Sequence, residues 1–254
     1  MSSRKVLLLG VLILVTIGIL LQVVNAADDQ PSGVRDITKG ASTYFNGSNY
    51  NPGSVYAEAG NITEITIDGI GGTKFWQGYY GEITGEIVLE DANGNRMYNW
   101  SDAEPQGEIY ASRAGAISWA NVSCLDNSDD VTWASENVFY DMTNPDSDNM
   151  NETFVYDDHP TIYFGDRAVT GCNNTWLFVS DAAQTTRFVE IALEDEETAD
   201  TSIFGTIIEN RDNGAQSDVT GFDGSTHDFQ LMVPENGTAN NVETTQYYFW
   251  VRLY

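Results

Sequence analysis

Hydrophobic residues in this chain recur mainly at alternate positions in short runs, the spacing of strands with one face buried. The N-terminus departs from that pattern. Val6 to Val24 is apolar almost throughout, with Thr16 and Gln22 as polar breaks, and Ala27 to about Tyr56 is polar and carries Pro31, Gly33, Gly40, Gly47, Pro52 and Gly53. The second stretch reads as an extended arm or linker. From Gly60 the β pattern sets in: Ile62, Ile65 and Ile67 alternate with Thr63 and Thr66, and Gly69 to Gly72 supply a turn. Lys74–Tyr80 and Glu82–Leu89 follow as consecutive strands, the latter with Ile83, Gly85, Ile87 and Leu89 facing inward and Glu82, Thr84 and Glu86 outward.

Asp91-Ala-Asn-Gly-Asn95 is a tight reversal, because Asn-Gly tolerates the positive φ of hairpin turns. Arg96–Trp100 returns from it. Further strands are expected at Glu108–Ser112, Ala116–Val122, Thr161–Phe164, Thr175–Val179, Arg187–Leu193, Phe204–Ile208, Asp228–Val233 and Gln246–Leu253. Val131–Tyr140 reads as a short helix, and Leu125–Asp130 and Glu194–Thr201 as loops. Roughly ten short strands divided by Gly, Asn and Asp turns predict an all-β fold, a β-sandwich of immunoglobulin-like, Greek-key architecture. The order Cys124…Trp133…Cys172 invites the immunoglobulin comparison, but position 170 is Thr where that fold places a corner Tyr, so the likeness concerns architecture alone. The organisation is then 1–26, a leader; 27–57, an arm; and 58–254, a single β-domain.

The leader changes the compartment. Arg4 and Lys5 precede the apolar run, and Val24-Asn25-Ala26 fits a small-x-small cleavage site. Two readings fit, a cleaved signal peptide and a retained N-terminal anchor helix, and both place the rest of the chain outside the cell. Cys124 and Cys172 are the only cysteines. In an oxidising compartment a bridge between them closes a loop of roughly 50 residues, worth about 3–4 kcal/mol. The alternatives are two buried thiols or a Zn site, for which no second Cys pair or nearby His supplies four ligands. Asn-x-Ser/Thr acceptors at Asn46, Asn61, Asn99, Asn121, Asn151, Asn173 and Asn236 add a glycosylated exterior.

At 41% hydrophobic and 12% aromatic residues the chain can build a core, so its formal charge of −27 does not imply disorder. That charge excludes nucleic acid, since no basic stripe displaces counterions from phosphates, and the folded part is repelled by anionic lipid. A membrane is met only through residues 1–26, if they are retained. The charge suits high salt, divalent cations or a cationic partner, or is the solvated surface of a secreted protein.

Phe75-Trp-Gln-Gly-Tyr-Tyr-Gly-Glu-Ile-Thr-Gly85, Asp91–Asn95, Gly107–Ala111, Thr220–Pro234 and Tyr247-Tyr-Phe-Trp-Val251, taken together, resemble a group of exported, Asn/Thr-rich archaeal cell-envelope proteins with no assigned activity. The resemblance spans roughly Asn61 to Tyr254. It implies an archaeal surface location and carries no catalytic residues.

Candidate chemistry is sparse. His159 and His227 are the only histidines and lack metal-ligand spacing. A Ser/His/Asp set would need one of them, and no nucleophile-elbow motif occurs. Carboxylates cluster at Asp126, Asp129 and Asp130, at Asp146 and Asp148, at Asp157-Asp158 and at Glu194–Glu197. Loops of hard oxygen ligands suit Ca²⁺, with solvated acidic loops as the plainer account. Trp76, Tyr79, Tyr80, Trp100, Trp119, Trp133 and Trp176 include candidates for a sugar-stacking platform, although large aromatics at strand spacing usually form core. The reading that follows is a structural, non-catalytic surface protein: an envelope component, an S-layer-associated subunit or an extracellular filament subunit. It would associate with other copies or other envelope proteins by strand addition, with the arm as donor and Ser42–Phe45 as its most strand-like part. An unstructured tether is the other role for the arm. A glycan-binding or adhesion module is the alternative function, and a secreted hydrolase with paired carboxylates a third.

Overall fold

The structure, a computed structural model, describes residues 30–102, 105–126, 131–180, 184–195, 197, 201–209, 219–236 and 244–254. The leader of residues 1–26, with Asp129 and Asp130, lies outside these. The described residues are mostly β, 39% strand against 7% helix, and all pairing between strands is antiparallel.

In chain order the strands are β1 (Ser32–Gly33), β2 (Trp76–Gly81), β3 (Gly85–Glu90), β4 (Arg96–Asp102), β5 (Gly107–Ser112) and β6 (Val122–Cys124). Two helices follow, α1 (Trp133–Phe139) and the single turn α2 (Met150–Thr153). The remaining strands are β7 (Ile162–Phe164), β8 (Arg167–Val169), β9 (Asn174–Phe178), β10 (Gln184–Asp195), β11 (Thr201–Ile207), β12 (Val219–Thr220), β13 (Thr226–His227), β14 (Phe229–Pro234) and β15 (Tyr248–Leu253). The main sheet runs β1-β15-β5-β11-β10-β6, with β9 also on β10. Four separate two-stranded pairs are β2–β14, β3–β4, β7–β8 and β12–β13.

Residues opposite one another on neighbouring strands share a face, so register assigns the core. One row is Phe249, Ala111, Phe204 and Ala192. It meets Leu231 and Val233 of β14, Phe75, and Trp133, Met150 and Phe154 from the helical segment. The opposite face carries Trp250, Tyr110, Ile203, Ile191 and Leu193, covered by Trp119 and by Ile162, Phe164 and Val169 of the β7–β8 hairpin. Each fully enclosed large side chain contributes about 1.5–3 kcal/mol. Because both faces are covered, β5 is buried along its whole length and shows no polar alternation. Gly205, opposite Tyr110, leaves room for that ring, which lies 2.9 Å from where a Cβ would stand.

Most expected strands form near their expected positions, as does the helix, capped by Thr132 and Ser135 bonding each other's backbone. The Asp91–Asn95 reversal also forms: Gly94 adopts φ +79, and the Asp91 carboxylate accepts from the Asn93 and Asn95 N–H groups.

Four expectations are corrected. Ile62–Ile67 forms no strand; β-branched residues favour one only where a partner supplies ladder bonds. Ala116–Asn121 is a turn before β6, since Asn121 N–H bonds Ser118 O and the Asp195 carboxylate takes the Ser118 N–H. The Glu194–Thr201 loop is shorter than expected, because β10 runs through Glu194 to a fully buried Asp195. The faces of β3 are reversed: Ile87 and Leu89 are exposed, while Glu86 is partly shielded by Arg35, Arg96 and Asn99.

Candidate functional site

Cys124 and Cys172 form a disulfide with a Cα–Cα distance of 4.9 Å. It ties β6 to the loop before β9 at one edge of the main sheet. Trp133, the Trp between the two cysteines in sequence, packs on the other face and not against the bridge.

The histidines work within loops. His159 Nε2 accepts the Cys172 N–H at 3.0 Å, so its Nδ1 carries the proton and donates to Pro160 O at 2.8 Å. His227 is buried, with Nε2 3.0 Å from Asp223 Oδ1 and its ring against Tyr80. The Asp223 carboxyl is held below its usual range mainly by the Ser225 N–H, then by His227.

Of the Ca²⁺ candidates, Asp146 caps its own turn through the Thr143 N–H and hydroxyl, which lower its carboxyl's pKa. Asp148 accepts from the Thr73 hydroxyl, and its backbone oxygen from the Trp76 indole. Asp126 makes an isolated bridge to Thr132. Among the described residues no three His, Cys, Asp or Glu side chains converge as a metal site.

Other carboxylates lie where the sequence reading did not place them. Glu108, Glu136, Glu190 and Glu194 are buried. Glu136 holds Arg113 at 2.6 Å and the Ser202 hydroxyl at 2.6 Å. Beside it the Tyr247 hydroxyl donates to Pro234 O, which leaves Tyr140 to donate to Tyr247 at 2.7 Å. Burial raises both tyrosines well above their ordinary pKa. With Tyr140 fully enclosed and Glu136 nearly so, this network ties α1 to the sheet rather than facing a substrate. One signal was available: the chain has so few basic residues that an Arg inside a strand, such as Arg252, marks a carboxylate partner.

The sequon residues Asn46, Asn61, Asn99, Asn151 and Asn236 are exposed. Asn121 and Asn173 are half-buried, and the Asn173 amide is turned to Phe154 O at 3.0 Å. Trp119 and Trp133 are core, Trp76 and Tyr79 pack against it, and Trp176 stacks on Tyr156 at 3.9 Å. Tyr80 and Trp100 remain exposed.

Two surfaces stand out. One is the segment between β1 and β2, which holds a 3₁₀ turn at Gly47–Asn49, a tight turn at Ala59–Gly60 and no strand. Its root is fixed where β1 pairs with Trp250 and Val251 and where Arg35 reaches Glu86 at 2.6 Å. Arg35, Asn99 and Arg96 hold the Glu86 carboxyl down to about 2. Beyond that root Tyr44, Val55, Tyr56, Ile62, Ile65, Ile67 and Ile70 are exposed. The other surface is the β3–β4 hairpin. Ile87 faces Trp100 and Leu89 faces Tyr98 across it, and all four are exposed.

Comparison of the chain with protein-family models, with curated proteins and with solved structures finds no match in any of the three.

Proposed function

We propose that this chain is a non-catalytic structural protein of the cell surface, exported by its leader and assembling with other copies, or other envelope proteins, through its arm by β-strand addition. The observation that carries the reading is the strand-free segment ahead of β2, rich in β-branched residues and studded with uncovered apolar side chains. A disulfide and exposed sequon residues suit an oxidising, glycosylated exterior. The β-domain is read as a Greek-key sandwich of immunoglobulin-like architecture; the packing of β14 over β10 and β11 supports two layers.

Electron microscopy of mature protein, residues 27–254, at about 2 M salt tests the reading, since such salt screens the acidic charge to within a few ångströms. Filaments or lattices are expected; monomers at every salt concentration contradict it.

A carbohydrate-binding or adhesion module is the second reading, favoured by the exposed Tyr98–Trp100 pair with ring centroids 4.9 Å apart. Binding on a glycan array that is lost with Trp100→Ala would establish it in place of the first.

A further inference from the structure

A hairpin with one polar and one apolar face ordinarily buries the apolar one. In the β3–β4 hairpin the polar face is the one engaged. Glu86 there takes Arg35, Arg96 and Asn99. The apolar face meets the domain at its Gly85 end, where Leu253 lies over the glycine and leaves no room for a side chain. Beyond it Ile87, Leu89, Tyr98 and Trp100 are 41%, 49%, 59% and 52% exposed.

The same chain carries a second uncovered apolar surface of complementary kind. In the strand-free segment that continues the arm past residue 57 towards β2, Ile62, Ile65, Ile67 and Ile70 are 104%, 54%, 80% and 63% exposed. Ile65 and Ile67 lie two residues apart, so in an extended chain they project to one side while Glu64, Thr66 and Asp68 project to the other. Within one molecule the two surfaces do not cover each other, since both remain open to solvent. Together these side chains expose on the order of 1,000 Å², about the area at which a contact becomes a specific interface.

We propose that the arm segment Asn61–Ile70 of one copy lies on the apolar face of the β3–β4 hairpin of the next, with Ile65 and Ile67 against Ile87, Leu89, Tyr98 and Trp100. The inference rests on the reading that copies associate through the arm, and adds to strand pairing at a sheet edge a side-chain contact on a sheet face. Donor and receiver are different patches of one chain, so the contact is heterologous and a joined pair keeps one free donor and one free receiver. Such a contact propagates from copy to copy, into an open filament where the rotation between copies does not close a ring.

Complementing variants test the pairing in the full mature chain. Ile65→Asp with Ile67→Asp blocks the donor, and Leu89→Asp with Trp100→Asp blocks the receiver. Each variant alone is expected to sediment as a monomer, its critical concentration raised at least about a hundredfold by charges placed in an apolar contact. An equimolar mixture retains one productive pair and is expected to stop at a heterodimer. Hydroxyl-radical footprinting of the wild-type assembly reads the same contact without substitution. Tyr98 and Trp100 should be protected several-fold relative to monomer, while Tyr163, exposed on the β7–β8 hairpin, stays reactive. A mixture that remains monomeric, or Tyr98 and Trp100 unprotected in the assembly, overturns the pairing. Wild-type filaments that persist in both variants overturn the pairing alone; a wild-type chain that never assembles overturns the reading beneath it.

Discussion

Glu190 is wholly enclosed where β10 passes under β14, with one carboxyl oxygen accepting the Met232 N–H at 2.6 Å and the other without a hydrogen-bond partner among the described residues. Desolvation raises its pKa well above the ordinary carboxylate value. The folded state therefore binds this proton more tightly than the unfolded chain, and the group's contribution to stability falls as pH rises above about 4.5. Glu190→Gln keeps the acceptor for Met232 and offers an amide to the Thr206 hydroxyl directly across the ladder. Its melting temperature should match wild type near pH 4 and exceed it increasingly towards pH 7, by roughly 2–4 °C per kcal/mol recovered. A difference constant across that range would show that Glu190 is not the titrating group. The buried pair Arg252–Glu108, 3.2 Å apart, behaves differently because breaking it strands a charge. Arg252→Met is expected to cost about 3–5 kcal/mol in denaturant unfolding, and Arg252→Met with Glu108→Leu distinctly less.

At the scale of elements, the bridge joins β6 to the approach to β9 across a sequence separation of 48 residues. Cys124→Ala with Cys172→Ala should lower stability by about 4 kcal/mol, seen as a fall of roughly 8–16 °C in thermal melting. A fall of under about 2 °C would mean that local packing already fixes that corner. Elements are also where the sequence was most and least legible. The strands of the main sheet announce themselves as aromatic and β-branched runs, and Asp91–Asn95 as a turn, because both signals are local. Sheet order was not legible, since β15 beside β5 and β5 beside β11 are long-range pairings that leave no periodic trace. The orientation of β3 was misread for a related reason: alternation shows that a strand has two faces, and only its neighbours decide which is covered. Here Arg35, more than fifty positions away in sequence, covers the polar one. The same limit applies to the candidate site. The arm's isoleucines were visible as a strand-like run, but their exposure, and that of Tyr98 and Trp100, follows from missing partners that only the folded chain reveals.

For the whole molecule, a formal charge of −27 opposes both compaction and association. Screening relieves the two together. Raising salt from about 0.1 to 2 M shortens the screening length from about 10 Å to a few ångströms, so melting temperature and assembly should rise in parallel. Melting that is indifferent to salt would show that the acidic groups are already neutralised by bound cations. The central claim, that copies join through the uncovered arm, is tested most directly by sedimentation and electron microscopy of the mature chain beside one lacking residues 60–71, in salt where the parent assembles. The account predicts a folded chain with an unchanged melting temperature that sediments only as a monomer. Filaments or lattices formed equally well without those residues would contradict it.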